Sequence, residues 1–365
     1  MDTAIDQSVL ASLTGTPYAC SSLHQLSGGT ANFVYRGILS KPLPDGTTTV
    51  VIKHTEDFVA SNRAFKIPAD RCVSLPNPTK SETAILSALN AFPAQTTESI
   101  TIQTPRFYHF NPETNTQIVE ELPAAQDLKS FFVAQPRDVD RSWAVGVGRA
   151  LGRWLKAFHA WGDDAAQAGV RDAMAGNVFM RDLKFSVNYD RLVAAVDQYP
   201  AVLAGRQEVF EAVREMARGE LGREGEGVGL IHGDFWTGNV LVETDTTAAT
   251  RMLVVDWELA QCGPRALDLG QMMAELYELT HYRGVAAGEW VIEGFVEGYG
   301  GISEEMAYRA AVHVGTHFIA FGSSVAGWGT EEQVQELVRI GGELVVNGWE
   351  KNRGGFGGVW ECLFQ

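Results

Sequence analysis

The first third of the chain alternates short apolar runs with turn residues. "NFVYRGIL", "KPLPDGT" and "TTVVIKH" read in order as strand, turn and strand. "PTKSETAILSALNAF" then changes the period, with Ile85, Leu86, Leu89 and Phe92 at helical spacing behind an acidic first turn. "SITIQTPRFYHFNPETNTQIVEEL" returns to β character and predicts two more strands around an Asn-Pro turn. From about residue 124 the pattern is helical. "SWAVGVGRALGRWLKAFHAWG" sets Trp143, Val147, Leu151, Trp154, Leu155, Phe158 and Trp161 on one broad face, and nearly everything after residue 262 keeps that period. A single β-rich island interrupts it, "VGLIHGDFWTGNVLV" and "RMLVVDW", joined by the polar loop "ETDTTAAT".

This layout predicts an α+β protein in two lobes. A small β-rich N-lobe is expected over residues 1–122, and a larger, mostly helical C-lobe holding one hairpin over residues 123–365. The 365 residues, 45% of them hydrophobic, suffice for two full cores, and no internal repeat is visible.

Charge and cysteine usage narrow the class. A formal charge of −16 argues against a nucleic-acid partner, since a phosphate backbone needs a basic face. Cys20, Cys72, Cys262 and Cys362 show no CxxC spacing, which reads as reduced thiols in a cytoplasmic protein. The first residues carry neither a basic n-region nor an apolar h-region, and no run of eighteen apolar residues occurs, so neither a secretory signal nor a membrane span is expected. The last residues, "CLFQ", fit a loose prenylation pattern, but the segment before them is not polybasic and the match reads as chance. A monomer acting on a small molecule is the expectation.

The chemistry concentrates in "IHGDFWTGNVLV", which puts His232, Asp234 and Asn239 within eight residues. Alone, the stretch is a metal site, a core strand with a polar end, or the catalytic loop of a phosphotransferase. Asp234 and Asn239 have the separation of the D-x-x-x-x-N of a kinase catalytic loop, where the aspartate takes or orients the proton of the attacking hydroxyl and the asparagine holds magnesium. Asp256 follows the apolar "LVV", where a carboxylate leaving a strand can reach the same metal.

The other parts of such a site stand in the right chain order. "LSGGTANF" supplies Gly28 and Gly29, with Thr30 and Asn32 in the same turn, to present N–H groups to phosphates. Lys53 ends "TTVVIKH", a relative of V-A-I-K, and Glu82 on the next helix is placed to pair with it. Each has a plain reading too: an ordinary turn, an edge-strand lysine, an acidic residue at a helix N-terminus. Their joint order is what carries weight.

"HGDFWTGNVLV" and "VVDWELAQCGPRALDLGQM" resemble the signature blocks of the aminoglycoside phosphotransferase and choline kinase superfamily, small-molecule relatives of protein kinases. "LSGGTANFVYR", "AFKI" and "WGTEEQV" extend the resemblance, from roughly residue 20 to residue 345, to a methylthioribose-kinase-like fungal branch that includes the hydroxytryptamine kinase of psilocybin biosynthesis. The resemblance implies a protein-kinase-like fold using ATP and Mg2+, with Asp234 as catalytic base and Asn239 and Asp256 as magnesium ligands. It makes Glu258 of "DWE" a second metal or substrate-site carboxylate, and residues 119–122, including Glu120 and Leu122, the hinge that receives adenine. Asp268 would brace the loop. The departures are a phosphate turn with Asn32 in place of a third glycine, an apparent insertion "PADRCVSLPNPTK", and one arginine near the site, Arg265, where methylthioribose kinases are expected to show a pair.

Rival readings remain open on sequence alone. A nucleotide-binding pseudokinase would need no transfer machinery, and a protein kinase would need an A-P-E block that is absent after Asp256. His313 and His317 have the spacing of a zinc helix but lack its glutamate, and read as core or pocket residues. Trp236 and Trp328 could wall an acceptor pocket, and Glu258, Glu275 and Glu278 would suit an amine-bearing acceptor as well as any alcohol.

Overall fold

A computed structural model describes residues 3–26, 32–56, 58–59, 62–66, 81–135, 139–223, 225–244 and 249–365. The expected phosphate-turn residues Gly28, Gly29 and Thr30 lie outside them, as does Cys72. The chain divides into two compact units, Met1–Ala91 with Thr104–Pro123, and Phe92–Gln103 with Ala124–Gln365.

The first unit is built on a five-stranded antiparallel sheet, in spatial order Cys20–Gln25, Phe33–Leu39, Thr49–His54, Thr116–Glu120 and Phe107–Asn111. Side chains alternate across a strand, so Phe33, Tyr35 and Leu39 face the same core as Val50, Ile52 and Ile118. Val9 and Leu13 of the helix Thr3–Leu13 belong to that core. Lys53 follows Ile52 and therefore points to the opposite face from Val50 and Ile52.

In the second unit a sheet runs Ala125–Asp127, Val240–Glu243, Thr250–Val254, Ile100–Gln103 and Gln95–Thr97. The hairpin Val240–Glu243 with Thr250–Val254 is the island read from the sequence. Its continuation differs from that reading. The stretch after residue 98 forms three strands, not two, and Ile100–Gln103 pairs parallel with Thr250–Val254 in the second unit. Pro105 stands at the break, where it has no N–H to donate to a continuing ladder. A second pair joins Val228–Ile231 to Gln261–Pro264.

The long helix Arg141–Asp163 is N-capped by Asp140, whose side chain accepts from Trp143 N. It buries Val147, Leu151, Trp154, Leu155 and Phe158, while Trp143 and Trp161 sit half-buried at the edge of that face. Gly148 and Gly152 meet Gly294 and Gly298 of the helix Ala287–Tyr299 so closely that a Cβ on Gly148 would stand 2.1 Å from Val291 O, and one on Gly294 2.1 Å from Val145 O. The two helices touch through their backbones. Cys362 and Leu363 are buried in the segment Gly358–Phe364, which packs against the helix Ala287–Tyr299, and burial pushes the Cys362 thiol up to about 12. The thiol of the "CLFQ" pattern is packed inside the fold. Among the described residues no helix is long and apolar enough to cross a membrane.

Candidate active site

The loop 232–239 leaves the strand Val228–Ile231 and enters Val240–Glu243 through a single 3-10 turn, Thr237–Asn239. Two features make this path sterically possible. Gly233 has φ +79°, and a Cβ there would lie 2.1 Å from Leu259 O. Gly238 lies under the Trp236 indole, 2.2 Å from where its own Cβ would be.

Buried Asp268, in the first turn of the helix Ala266–Arg283, holds the loop from below. Its Oδ2 accepts from His232 N at 2.8 Å and its Oδ1 from Gly233 N at 2.9 Å, while His159 Nε2 stands 3.2 Å from Oδ2. Burial opposes a charge here, but the His159 contact and then His232 outweigh it and keep the Asp268 carboxyl below its ordinary range. His232 ties the loop to the second strand end. Its Nδ1 accepts from Asp234 N at 3.2 Å, so its Nε2 carries the proton and donates to Val255 O at 3.0 Å. Burial lowers the His232 pKa, and its ring rests on Trp257 with centroids 4.4 Å apart. Bracing, and not metal ligation, is the part this histidine takes.

Asp234 stands half-buried with both carboxylate oxygens engaged. Asn239 Nδ2 donates to Oδ2 at 2.9 Å and to the Asp234 carbonyl at 3.0 Å, and Gln271 Nε2 donates to Oδ1 at 2.6 Å. Because the Asn239 amide nitrogen faces Asp234, its Oδ1 is the end left for another partner. Asn239 O also accepts from Val255 N at 2.9 Å, next to the Val240–Val254 pair, which sets Val255 opposite Asn239 and brings Asp256 out one residue beyond it. Asp256 holds φ +66° and ψ +68°, a left-handed conformation that aspartate tolerates better than most residues, and Glu258 follows in the turn Trp257–Leu259. The donors at these strand ends are oxygens from few protein groups, the set a magnesium ion takes when phosphates and waters complete its shell. Among the described residues no three His, Cys, Asp or Glu side chains form a metal cluster.

In the first unit Lys53 Nζ lies 2.8 Å from Glu82 Oε1, and Gln117 Nε2 donates to Glu82 Oε2 at 2.9 Å. Both partners are largely buried, so the pair is held in one geometry. Asn32 is buried and accepts from Thr55 Oγ1 at 2.9 Å. Glu120 ends the strand Thr116–Glu120, accepts from Arg106 N on its side chain, and leads to buried Leu122.

A family model described as "Phosphotransferase enzyme family" matches residues 60–311, well over half of the chain. The chain belongs to the phosphotransferase enzyme family. Phosphotransferase FrzJ of Cladobotryum sp is 30% identical over 357 residues, 94% of this chain and 92% of that one. A 4-hydroxytryptamine kinase of Psilocybe cyanescens is 25% identical over 348 residues, 92% and 90% of the two chains. In fold the chain is similar to amicoumacin kinase hAmiN in complex with AMP-PNP, Ca2+ and Ami, with a TM-score of 0.51 and 10% identity over 96% of this chain and 97% of that one. The architecture is thus the kinase-like α+β fold of these phosphotransferases.

This phosphotransferase carries a second polar cluster that the sequence reading named only in pieces. Lys129 Nζ lies 5.1 Å from the Trp236 ring centroid and 4.2 Å from that of Trp328, and 3.3 Å from Glu275 Oε2. His317 Nε2 stands 3.0 Å from Glu275 Oε1, and His313 Nδ1 stands 3.0 Å from the Tyr189 hydroxyl. Glu278 is 1% exposed, and burial together with the Glu275 charge pushes its carboxyl well above the ordinary range. Lys129, His159, Lys184 and Gln271 escaped the sequence reading. Only Gln271 left a signal there, standing three residues after Asp268 and hence on the same helix face.

Proposed function

We propose that the chain transfers the γ-phosphoryl group of ATP to a hydroxyl of a small molecule, with Asp234 as the general base. The observation that carries this reading is the Asp234 carboxylate, oriented by Asn239 and Gln271 in a loop that Asp268 braces. Asp234 takes the proton of the acceptor hydroxyl as its oxygen bonds to the γ-phosphorus. The bond from that phosphorus to the bridging oxygen breaks, and ADP leaves. Such a transition state is loose, so positioning and charge placement supply most of the rate.

Lys53, kept in place by Glu82 and Gln117, pairs with the nucleotide phosphates, and the turn holding Gly28, Gly29, Thr30 and Asn32 presents its amides to them. The backbone around Glu120 and Leu122 receives the adenine. Asn239 and Asp256, with Glu258 as a further carboxylate, are the residues that would hold Mg2+, whose charge offsets that of the phosphates when it is bound. The Trp236 and Trp328 indoles and the Glu275 carboxylate suit an acceptor that carries an amine, and the similarity to a 4-hydroxytryptamine kinase supports that class.

A mass-spectrometric acceptor screen with Mg-ATP tests the reading. It spans hydroxylated indoleethylamines, choline, ethanolamine, methylthioribose, aminoglycosides and simple alcohols, with Asp234→Asn alongside. A phosphate adduct is expected, reduced at least about a hundredfold in the variant. Tight nucleotide binding with neither transfer nor ATP hydrolysis above the variant's level would make the chain a pseudokinase instead.

A further inference from the structure

We propose that Lys184 is a positioning residue that acts on Asp234 through Gln271, by fixing which end of the Gln271 amide faces the carboxylate. This rests on the reading of Asp234 as the base. Lys184 lies in the helix Val178–Phe185, 6% exposed, and its Nζ donates to Gln271 Oε1 at 2.5 Å. Gln271, 4% exposed, donates through Nε2 to Asp234 Oδ1 at 2.6 Å. The two ends of an amide are nearly identical in shape, so their partners decide the orientation. An ammonium has only donors and a carboxylate only acceptors. Lys184 therefore holds the Gln271 oxygen, and the nitrogen must face Asp234. With Asn239 on Oδ2, each carboxylate oxygen then receives one N–H from a separate element, and the plane of the group is set.

Stability does not account for a lysine here. Among the described residues no carboxylate lies within ion-pairing distance of Lys184 Nζ, and burial lowers its pKa against the more distant charges of Asp234, Asp268 and Glu275, so a cation whose side chain bonds only an amide is an expensive arrangement here. Methionine would fill the same volume without a charge. What methionine cannot do is hold the amide in one orientation.

The test uses the full chain with Lys184→Met, Lys184→Arg, Gln271→Met and the double variant Lys184→Met with Gln271→Met. Lys184→Met is expected to keep or raise Tm and both KM values while lowering kcat by roughly tenfold or more, the scale set by small misplacements of a catalytic group. Lys184→Arg should restore most of the loss, and the double variant should be no slower than Gln271→Met alone. An unchanged kcat in Lys184→Met, or losses that multiply in the double variant, would overturn the relay. A second readout needs no turnover. In protein labelled with [15N]glutamine, the side-chain amide resonance absent from Gln271→Met should move to the position of a free amide in Lys184→Met and stay put in Lys184→Arg. A resonance unmoved by Lys184→Met refutes the relay, whereas a moved resonance in a protein without transfer activity upholds it and counts only against Asp234 as base.

Discussion

The two ends of the helix Ala266–Arg283 carry buried carboxylates in opposite conditions. Near its start Asp268 accepts from two backbone N–H groups and stands against His159, and its carboxyl stays ionised. Near its end Glu278 has an oxygen, Oε1, with no hydrogen-bond partner and His317 Nε2 4.0 Å away, and burial together with the Glu275 charge raises its pKa well above the ordinary range. His317 Nδ1 and Trp328 Nε1 beside it are likewise unpartnered. Buried polar groups in folded proteins are nearly always satisfied. The start of the helix is finished architecture that positions a loop. The other end is a polar cluster with bonding capacity left over, as expected of a place that meets a ligand.

Removing the brace gives the largest expected effect. Asp268→Ala leaves the amides of His232 and Gly233 and the His159 ring without an acceptor in a buried setting, at a cost of about 3–5 kcal/mol. Urea unfolding should show that loss, together with a loop too disordered for transfer. A loss below about 1 kcal/mol would mean that the loop holds itself and that the two ends differ less than their bonding implies.

Glu278→Gln gives a smaller effect with a definite sign. The folded chain keeps the Glu278 proton to a higher pH than the unfolded chain, whose carboxyl has the ordinary value of 4.5. Between those values the folded state binds more protons, so the stability it draws from this group is complete at acid pH and falls as pH rises. Asp268, with its pKa lowered, has the reverse dependence and loses stability as pH falls. Glu278→Gln should therefore raise Tm at about pH 8 and change it little at about pH 5. An equal change at both would show that Glu278 is ionised in both.

This contrast also marks what the sequence could disclose. Loop residues Asp234 and Asn239 share a local spacing, and Lys53 lies on a strand with Glu82 on the next helix, so each pair was legible in chain order. The hairpin and the helical period were legible for the same reason. Ile100–Gln103 was not, because its parallel partner lies some 150 residues away and no local pattern specifies such pairing. The glycine contacts of Gly148 and Gly152 were masked by the stronger apolar stripe on the same helix. Lys184 and Lys129 belong to no motif, and only tertiary packing brings them to Gln271 and to the indoles.

The smallest effect belongs to Lys129. Its ammonium lies against two indole faces and a carboxylate, the surroundings that attract any ammonium ion. If an amine-bearing acceptor uses the same indoles, it competes with a cation the chain itself supplies. Lys129→Met removes that competitor while His317 continues to answer Glu275. A cation–π contact is worth about 1 kcal/mol, so KM for a cationic acceptor should fall by roughly fivefold with kcat unchanged. An uncharged acceptor of similar size should show no change. A KM that rises for the cationic acceptor would reverse the assignment: Lys129 would then be part of the wall that shapes the pocket and not its resident cation, and the unpartnered groups around Glu278 would have to receive the acceptor through hydrogen bonds alone.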